Sequence, residues 1–343
     1  MFSRIGRLVS SFALGAVVLL ALFFIPPPSA TGVERVGFTF SHVFARGLGL
    51  DWREAYLAAL DDLHPQILRI PVYWDEVEKR KDAFDFSAYD FLVREAAARD
   101  IPFVLAIGMR VPRWPECHIP EWARPLPERK MRAELKEAIA EIVERYKDAP
   151  GLSAWQVENE PFLPFFGECP PPSASFLDEE IELVRFLDPD TDILITDSGE
   201  LSAWVFAAAR GDVFGTTMYR SVWSDTVSPY IGYFTYPFPP KFFWLKANIV
   251  HILFGAEKRI VNVELQAEPW GPEFSIARSE VSSETMDIGK LYDNIDYAYE
   301  VGFPDVYLWG VEWWYARKTL AEDDSYWRAV KKIIEKSRAS AVK

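Results

Sequence analysis

Apolar residues fall along this chain in two alternating patterns. Short, nearly continuous apolar runs are followed by longer stretches whose apolar positions recur at three- and four-residue spacing. The first pattern predicts strands buried on both faces and the second predicts amphipathic helices. Runs at Val36–Phe40, Ile67–Val72, Phe103–Ile107 and Ser153–Val157 predict four strands. Four more are predicted at Ile193–Thr196, Phe214–Met218, Ile260–Gln266 and Val306–Trp309. Helices are predicted over Trp52–Leu63, from Ser87 to about Arg99, from about Glu284 to Tyr299 and from about Asp324 to Lys336. The clearest helix carries Leu135, Ala138, Ile139, Ile142, Val143 and Tyr146 on one stripe, and Ala149-Pro150-Gly151 stops it. Strands alternating with helices imply parallel βα units, and eight of them predict one closed (β/α)8 TIM barrel over residues 33–340.

In such a barrel the chemistry lies at the C-terminal ends of the strands. Asn159-Glu160-Pro161 ends the fourth run abruptly. The proline supplies no N–H to a ladder and keeps the preceding residue out of helix, so Glu160 sits where a loop begins. Glu264 closes the seventh run in the same way. Two carboxylates on two strand ends are what glycosidic bond cleavage needs, one as acid and one as nucleophile or base. Each has a rival. Strand alternation puts Glu158 on the same side as Glu160, and Glu268 also precedes a proline.

Leu68-Arg69-Ile70-Pro71-Val72-Tyr73-Trp74, Asn159-Glu160-Pro161 and Val261-Asn262-Val263-Glu264 resemble the strand-two, strand-four and strand-seven signatures of clan A glycoside hydrolases. That clan comprises retaining (β/α)8 enzymes, cellulase-like, mannanase-like and β-galactosidase-like. The resemblance implies Glu160 as acid/base and Glu264 as nucleophile. It implies that Arg69 steadies the nucleophile, that Asn159 hydrogen-bonds the sugar 2-hydroxyl and that Trp309 floors the cleavage subsite. Tyr219 matches a position that contacts the nucleophile. His42, Tyr73, Trp74, Arg110, Trp114 and Trp270 also follow strands and are candidates to line the cleft, and Glu268 is a candidate substrate contact. The expected activity is hydrolysis of a β-linked oligo- or polysaccharide. Transfer to a second sugar on the same machinery is the nearest alternative, and a silent carbohydrate-binding barrel is the rival of a different class.

Composition changes the picture in five places. A net charge of −14 argues against a nucleic-acid partner, since phosphate binding needs a basic face. With two cysteines, four histidines and neither a Cys-x-x-Cys nor a His-Glu-x-x-His spacing, no metal site and no cofactor is expected. Cys117 and Cys169 follow neighbouring strands, which makes a disulfide the hypothesis and two free thiols the alternative. Arg4 and Arg7 precede 18 uncharged residues, Leu8 to Ile25, so residues 1–30 read as a signal peptide or a membrane anchor, and either places the barrel outside the cytoplasm. Thr226–Ala256 holds nine aromatics, no acidic residue and only Lys241 and Lys246 as charges. It reads either as a helix and loop packed on the barrel or as a surface for membrane or polysaccharide.

Overall fold

The structure is a computed structural model that describes residues 20–164, 167–223, 228–271 and 284–341, with Gly15. Eight parallel strands close into a barrel: β1 (Arg35–Thr39), β2 (Leu68–Pro71), β3 (Phe103–Ile107) and β4 (Leu152–Val157), then β5 (Ile193–Asp197), β6 (Val213–Met218), β7 (Arg259–Gln266) and β8 (Asp305–Trp309). Each pairs with its sequence neighbour, and β1 closes on β8 through Val36 opposite Val306. The runs read as continuously apolar because both faces are buried. One face packs on the helices. The other fills the barrel with a small cluster that includes Val104, Ala154, Leu194, Val261, Val263 and Tyr307. Gly37 is required on β1: a Cβ there would lie 1.7 Å from the carbonyl oxygen of Ile67.

Some of the helices begin where polar side chains take up their free N–H groups. Asp51 accepts from Arg53 and Glu54 before helix Trp52–Ala58, which continues as a π-turn to Leu63. Ahead of helix Ser87–Ala97 the Asp85 carboxylate accepts the Ser87 N–H at 2.9 Å. Asp287 accepts from Lys290, so helix Ile288–Val301 starts four residues later than the periodicity predicts. The stripe ending at Tyr146 lies on helix Glu128–Tyr146, and the last helix is Ser325–Ala341.

Helix Ala174–Leu187 follows a proline run and buries Phe176, Leu177, Ile181 and Val184 on one face, whereas Val311–Leu320 carries no clear periodic signal and buries Val311 through Ala316 without a polar face. The aromatic segment contains a further helix, Pro240–Phe254, with its proline in the first turn, where a missing N–H costs nothing. Phe243, Ala247 and Val250 are buried against the barrel, so this part of Thr226–Ala256 is core. Tyr230 and Ile231 of the same segment are exposed.

Most of the apolar N-terminal stretch lies outside the described residues, and no helix among those described is long and apolar enough to cross a membrane. Its end is docked on helix Pro240–Phe254. The Asn248 amide donates to the carbonyls of Leu22 (2.9 Å) and Ile25 (2.8 Å), and Lys241 lies 4.5 Å from the centre of the Phe24 ring. Cys117 and Cys169 are disulfide-bonded, with Cα atoms 5.2 Å apart, and tie the loop after β3 to the loop after β4.

Candidate active site

At the C-terminal mouth of the barrel the apolar filling gives way to a polar network centred on Arg69. Its side chain is fully buried, and a buried guanidinium is tolerated only when its donors are used. Nε donates to Gln156 Oε1, Nη1 to Glu264 Oε1 and Nη2 to Asn159 Oδ1, each at 2.7 Å. The other Glu264 oxygen accepts from the Tyr219 hydroxyl at 2.8 Å. Arg69 and Tyr219 thus fix the Glu264 carboxylate from β2 and from the residue after β6. Tyr219 is held in turn by the Glu200 carboxylate, which accepts its backbone N–H at 2.9 Å.

Glu160 faces the same space under different conditions. Its backbone is left-handed, with φ of +44°, and its N–H donates to Thr196 Oγ1 at 2.9 Å. Thr217 Oγ1 donates to Glu160 Oε1 at 3.2 Å. Burial raises the Glu160 pKa well above the usual carboxylate range, and the charges of Glu264, Glu116 and Asp197 push it further against the pull of Arg110. One carboxyl is therefore buried, among the described residues without a counter-ion within hydrogen-bond reach, while the other lies against a guanidinium.

The rivals have other tasks. Glu158 also has a left-handed φ, +58°, so alternation fails at the end of β4. Its carboxylate turns to accept the backbone N–H groups of Met109 and Arg110, both at 2.7 Å. Gly108 makes this possible, because a Cβ there would run into that carboxylate. Burial raises the pKa of Glu158, and that of its neighbour Glu180 goes well up through burial and the Glu158 charge. Glu268 is ion-paired with Arg113, which also holds Glu312 at 2.7 Å. The Arg113 guanidinium lies between Phe44 and Trp309, 3.8 and 4.1 Å from the ring centres. Burial raises the Glu268 pKa to about 7 despite Arg113. Trp309 therefore stands at the end of β8 with a cation on its ring and 6 % exposed.

Trp270 meets Tyr219 edge-on, with centroids 4.9 Å apart, on the Glu264 side of the mouth. His42 does not line an open cleft. It is 1 % exposed and packed among Trp52, Tyr73 and Tyr89, and burial lowers its pKa. Tyr73 is buried with its hydroxyl on Ser41 and Pro112, and Trp74 donates to Glu78. Arg110 donates to the Leu163 carbonyl at 2.7 Å, and Trp114 is 64 % exposed on the loop after β3.

Several site residues carry no strand-end signal. Gln156 and Thr196 point inward from mid-strand and late-strand positions, and alternation with Glu158 was the available clue for Gln156. Glu116 and Arg113 sit in the loop after β3, where periodicity says nothing. Glu116 Oε2 accepts from the Asn159 amide at 3.0 Å, which makes it a third carboxyl beside the pair. The one threefold group of carboxylates with metal-like spacing among the described residues, Asp82, Glu134 and Glu137, lies away from this site and is partly exposed.

No protein-family model matches the chain, and no curated protein matches it in sequence. Solved structures match it in fold. Xylanase 10B of Thermotoga maritima superposes with a TM-score of 0.56 at 14 % identity, covering 91 % of this chain and 97 % of the xylanase. The GH42 β-galactosidase of G. stearothermophilus gives 0.60 at 13 %, covering 90 % and 57 %. The β-galactosidase of the Antarctic haloarchaeon Halorubrum lacusprofundi gives 0.53 at 15 %, covering 80 % and 52 %. The chain spans little more than half the length of those two galactosidases. At such identities the likeness is one of fold, the closed (β/α)8 barrel.

Proposed function

We propose that the chain is a retaining glycoside hydrolase acting on β-linked sugars. The observation that carries this reading is the contrast between the two mouth carboxyls: Glu264 on Arg69 and Tyr219, and Glu160 buried as a proton donor. In the first step a Glu264 oxygen bonds to the anomeric carbon. The bond to the leaving oxygen breaks with its electron pair, and that oxygen takes the Glu160 proton. In the second step a water gives its proton to Glu160 and bonds to the anomeric carbon, and the ester electrons return to Glu264. The xylan- and galactoside-active neighbours of this fold fit a β-linked substrate. The test is turnover of a panel of aryl β-glycosides by the wild type, Glu160→Gln and Glu264→Gln. Hydrolysis by the wild type and a loss in each variant of about 10²-fold or more supports the reading. Turnover that survives Glu264→Gln would remove the nucleophile and with it the mechanism.

The same reading places the barrel outside the cytoplasm. The apolar stretch behind Arg4 and Arg7 and the Cys117–Cys169 disulfide both suit an exported protein. Added protease should digest the barrel in intact spheroplasts, and thiol alkylation should require reductant. Full protection from protease, or two thiols that alkylate without reductant, would contradict export.

A further inference from the structure

The loop after β3 brings a carboxyl to the site that the two-carboxyl mechanism does not use. Glu116 is held firmly. Its N–H donates to the Arg113 carbonyl at 2.8 Å, its carbonyl accepts from Val111 at 2.9 Å, and the next residue is disulfide-bonded. An isolated bridge between Arg110 and Cys117 closes the turn, and Gly167 packs against its base. The side chain is 4 % exposed. Asn159 turns its donor toward it: Asn159 Oδ1 already accepts from Arg69, Gln156 (3.2 Å) and Thr196 (3.3 Å), so the amide nitrogen is left to donate to Glu116 Oε2. Among the described residues no hydrogen-bond donor reaches Glu116 Oε1.

We propose that Glu116 binds a protonated amine on the sugar carbon next to the anomeric centre, making the substrate a β-linked 2-amino-2-deoxy glycoside. The proposal rests on the glycosidase reading and names its substrate class. The anomeric carbon must sit between Glu160 and Glu264. Of the two ring atoms bonded to it, the ring oxygen carries no substituent. The nearest ring substituent to the reacting carbon is therefore the one on C2, and Glu116 is linked to Glu264 through the hydrogen bonds of Asn159 and Arg69. Burial and the Glu264 charge raise the Glu116 pKa to about 7, while Arg110, the Asn159 hydrogen bond and His118 pull it down. Arg69 is engaged by Glu264, Asn159 and Gln156, so with a neutral sugar only the more distant charges of Arg110 and His118 offset this buried carboxyl. An ammonium supplies the missing charge and fills Oε1 with an N–H donor. The protein as a whole, at −14, attracts a cationic polymer and repels an acidic one.

The experiment compares aryl β-glycosides that differ only at C2, carrying a free amine, an N-acetyl group or a hydroxyl, with the full chain and with Glu116→Gln. The wild type is expected to favour the amine in kcat/KM by about 10- to 150-fold, the worth of one charged hydrogen bond, and Glu116→Gln to collapse that ratio. A preference for the hydroxyl or N-acetyl substrate overturns the inference and leaves the glycosidase reading intact. So does a Glu116→Gln loss equal on all three, which marks a general electrostatic role. If no glycoside is turned over, the glycosidase reading fails, and calorimetry with D-glucosamine and D-glucose decides the site separately. Binding of glucosamine alone, lost in Glu116→Gln, supports the amine site; equal binding of both sugars, or none, overturns it.

Discussion

Arg69 is where the account is most exposed to a stability measurement. Replacing it by Met removes a fully buried cation and three hydrogen bonds of 2.7 Å in one step. Three acceptors are affected unequally. Asn159 Oδ1 keeps Gln156 and Thr196 as donors, Gln156 Oε1 is orphaned, and Glu264 retains only Tyr219 and its backbone surroundings. Breaking a buried ion pair costs about 3–5 kcal/mol. The orphaned Gln156 oxygen adds about 1–3 kcal/mol, so a loss of about 4 kcal/mol or more is expected. Most of that loss is the penalty of a stranded carboxylate and does not measure the worth of the pair. Arg69→Met combined with Glu264→Gln should therefore be more stable than Arg69→Met alone, by about 2 kcal/mol. Arg69→Lys supplies a milder perturbation if the Met variant does not fold, since one ammonium cannot reach three acceptors in three directions. The assay is urea unfolding of the four members of the cycle at neutral pH. Additive losses, or a single-variant cost under about 1 kcal/mol, would refute the buried ion pair at the mouth.

Two further outcomes follow from the same geometry. Tyr219→Phe removes a hydrogen bond to the charged Glu264 oxygen, and kcat/KM should fall about 10- to 150-fold while the unfolding midpoint changes little; unchanged kinetics on every substrate turned over would place that contact outside the reaction. The Glu158–Glu180 pair sets a pH dependence of stability. Both carboxyls have folded pKa values raised by burial, so the unfolded chain releases protons first. Their contribution is complete below the unfolded value of about 4.3 and is lost as pH rises through the folded values. Glu180→Gln should flatten the decline in unfolding free energy as pH rises above the unfolded value, and an unaltered slope would show that the pair does not set it.

The barrel was legible because each strand is buried on both faces, which leaves a short, apolar-rich run at each of the eight positions. The strand ends were legible for the same reason: Arg69, Glu160 and Glu264 interrupt or terminate those runs. Glu158 was not separable from Glu160 by alternation, since two left-handed residues in three turn the chain out of strand geometry. Glu116 and Arg113 were hidden because a loop held by a disulfide and backbone turns has no period to read. Helix Val311–Leu320 was hidden by burial on every side, which erases the polar stripe that marks a helix. His42 follows β1 as a cleft-lining candidate would, yet its ring is spent on packing against Trp52 and Tyr89.

The central claim is that Glu264 attacks and Glu160 gives and then takes a proton, and the stereochemistry of the first product tests it most directly. Two displacements at one carbon return the starting configuration, whereas a single displacement by water inverts it and needs about 6.5–9.5 Å between the carboxyls. Proton NMR of an aryl β-glycoside digest, recorded before mutarotation, reads the anomer as it forms. The account predicts that the β-anomer appears first. An α-anomer appearing first would contradict the assignment of Glu264 as nucleophile, with the barrel itself left standing.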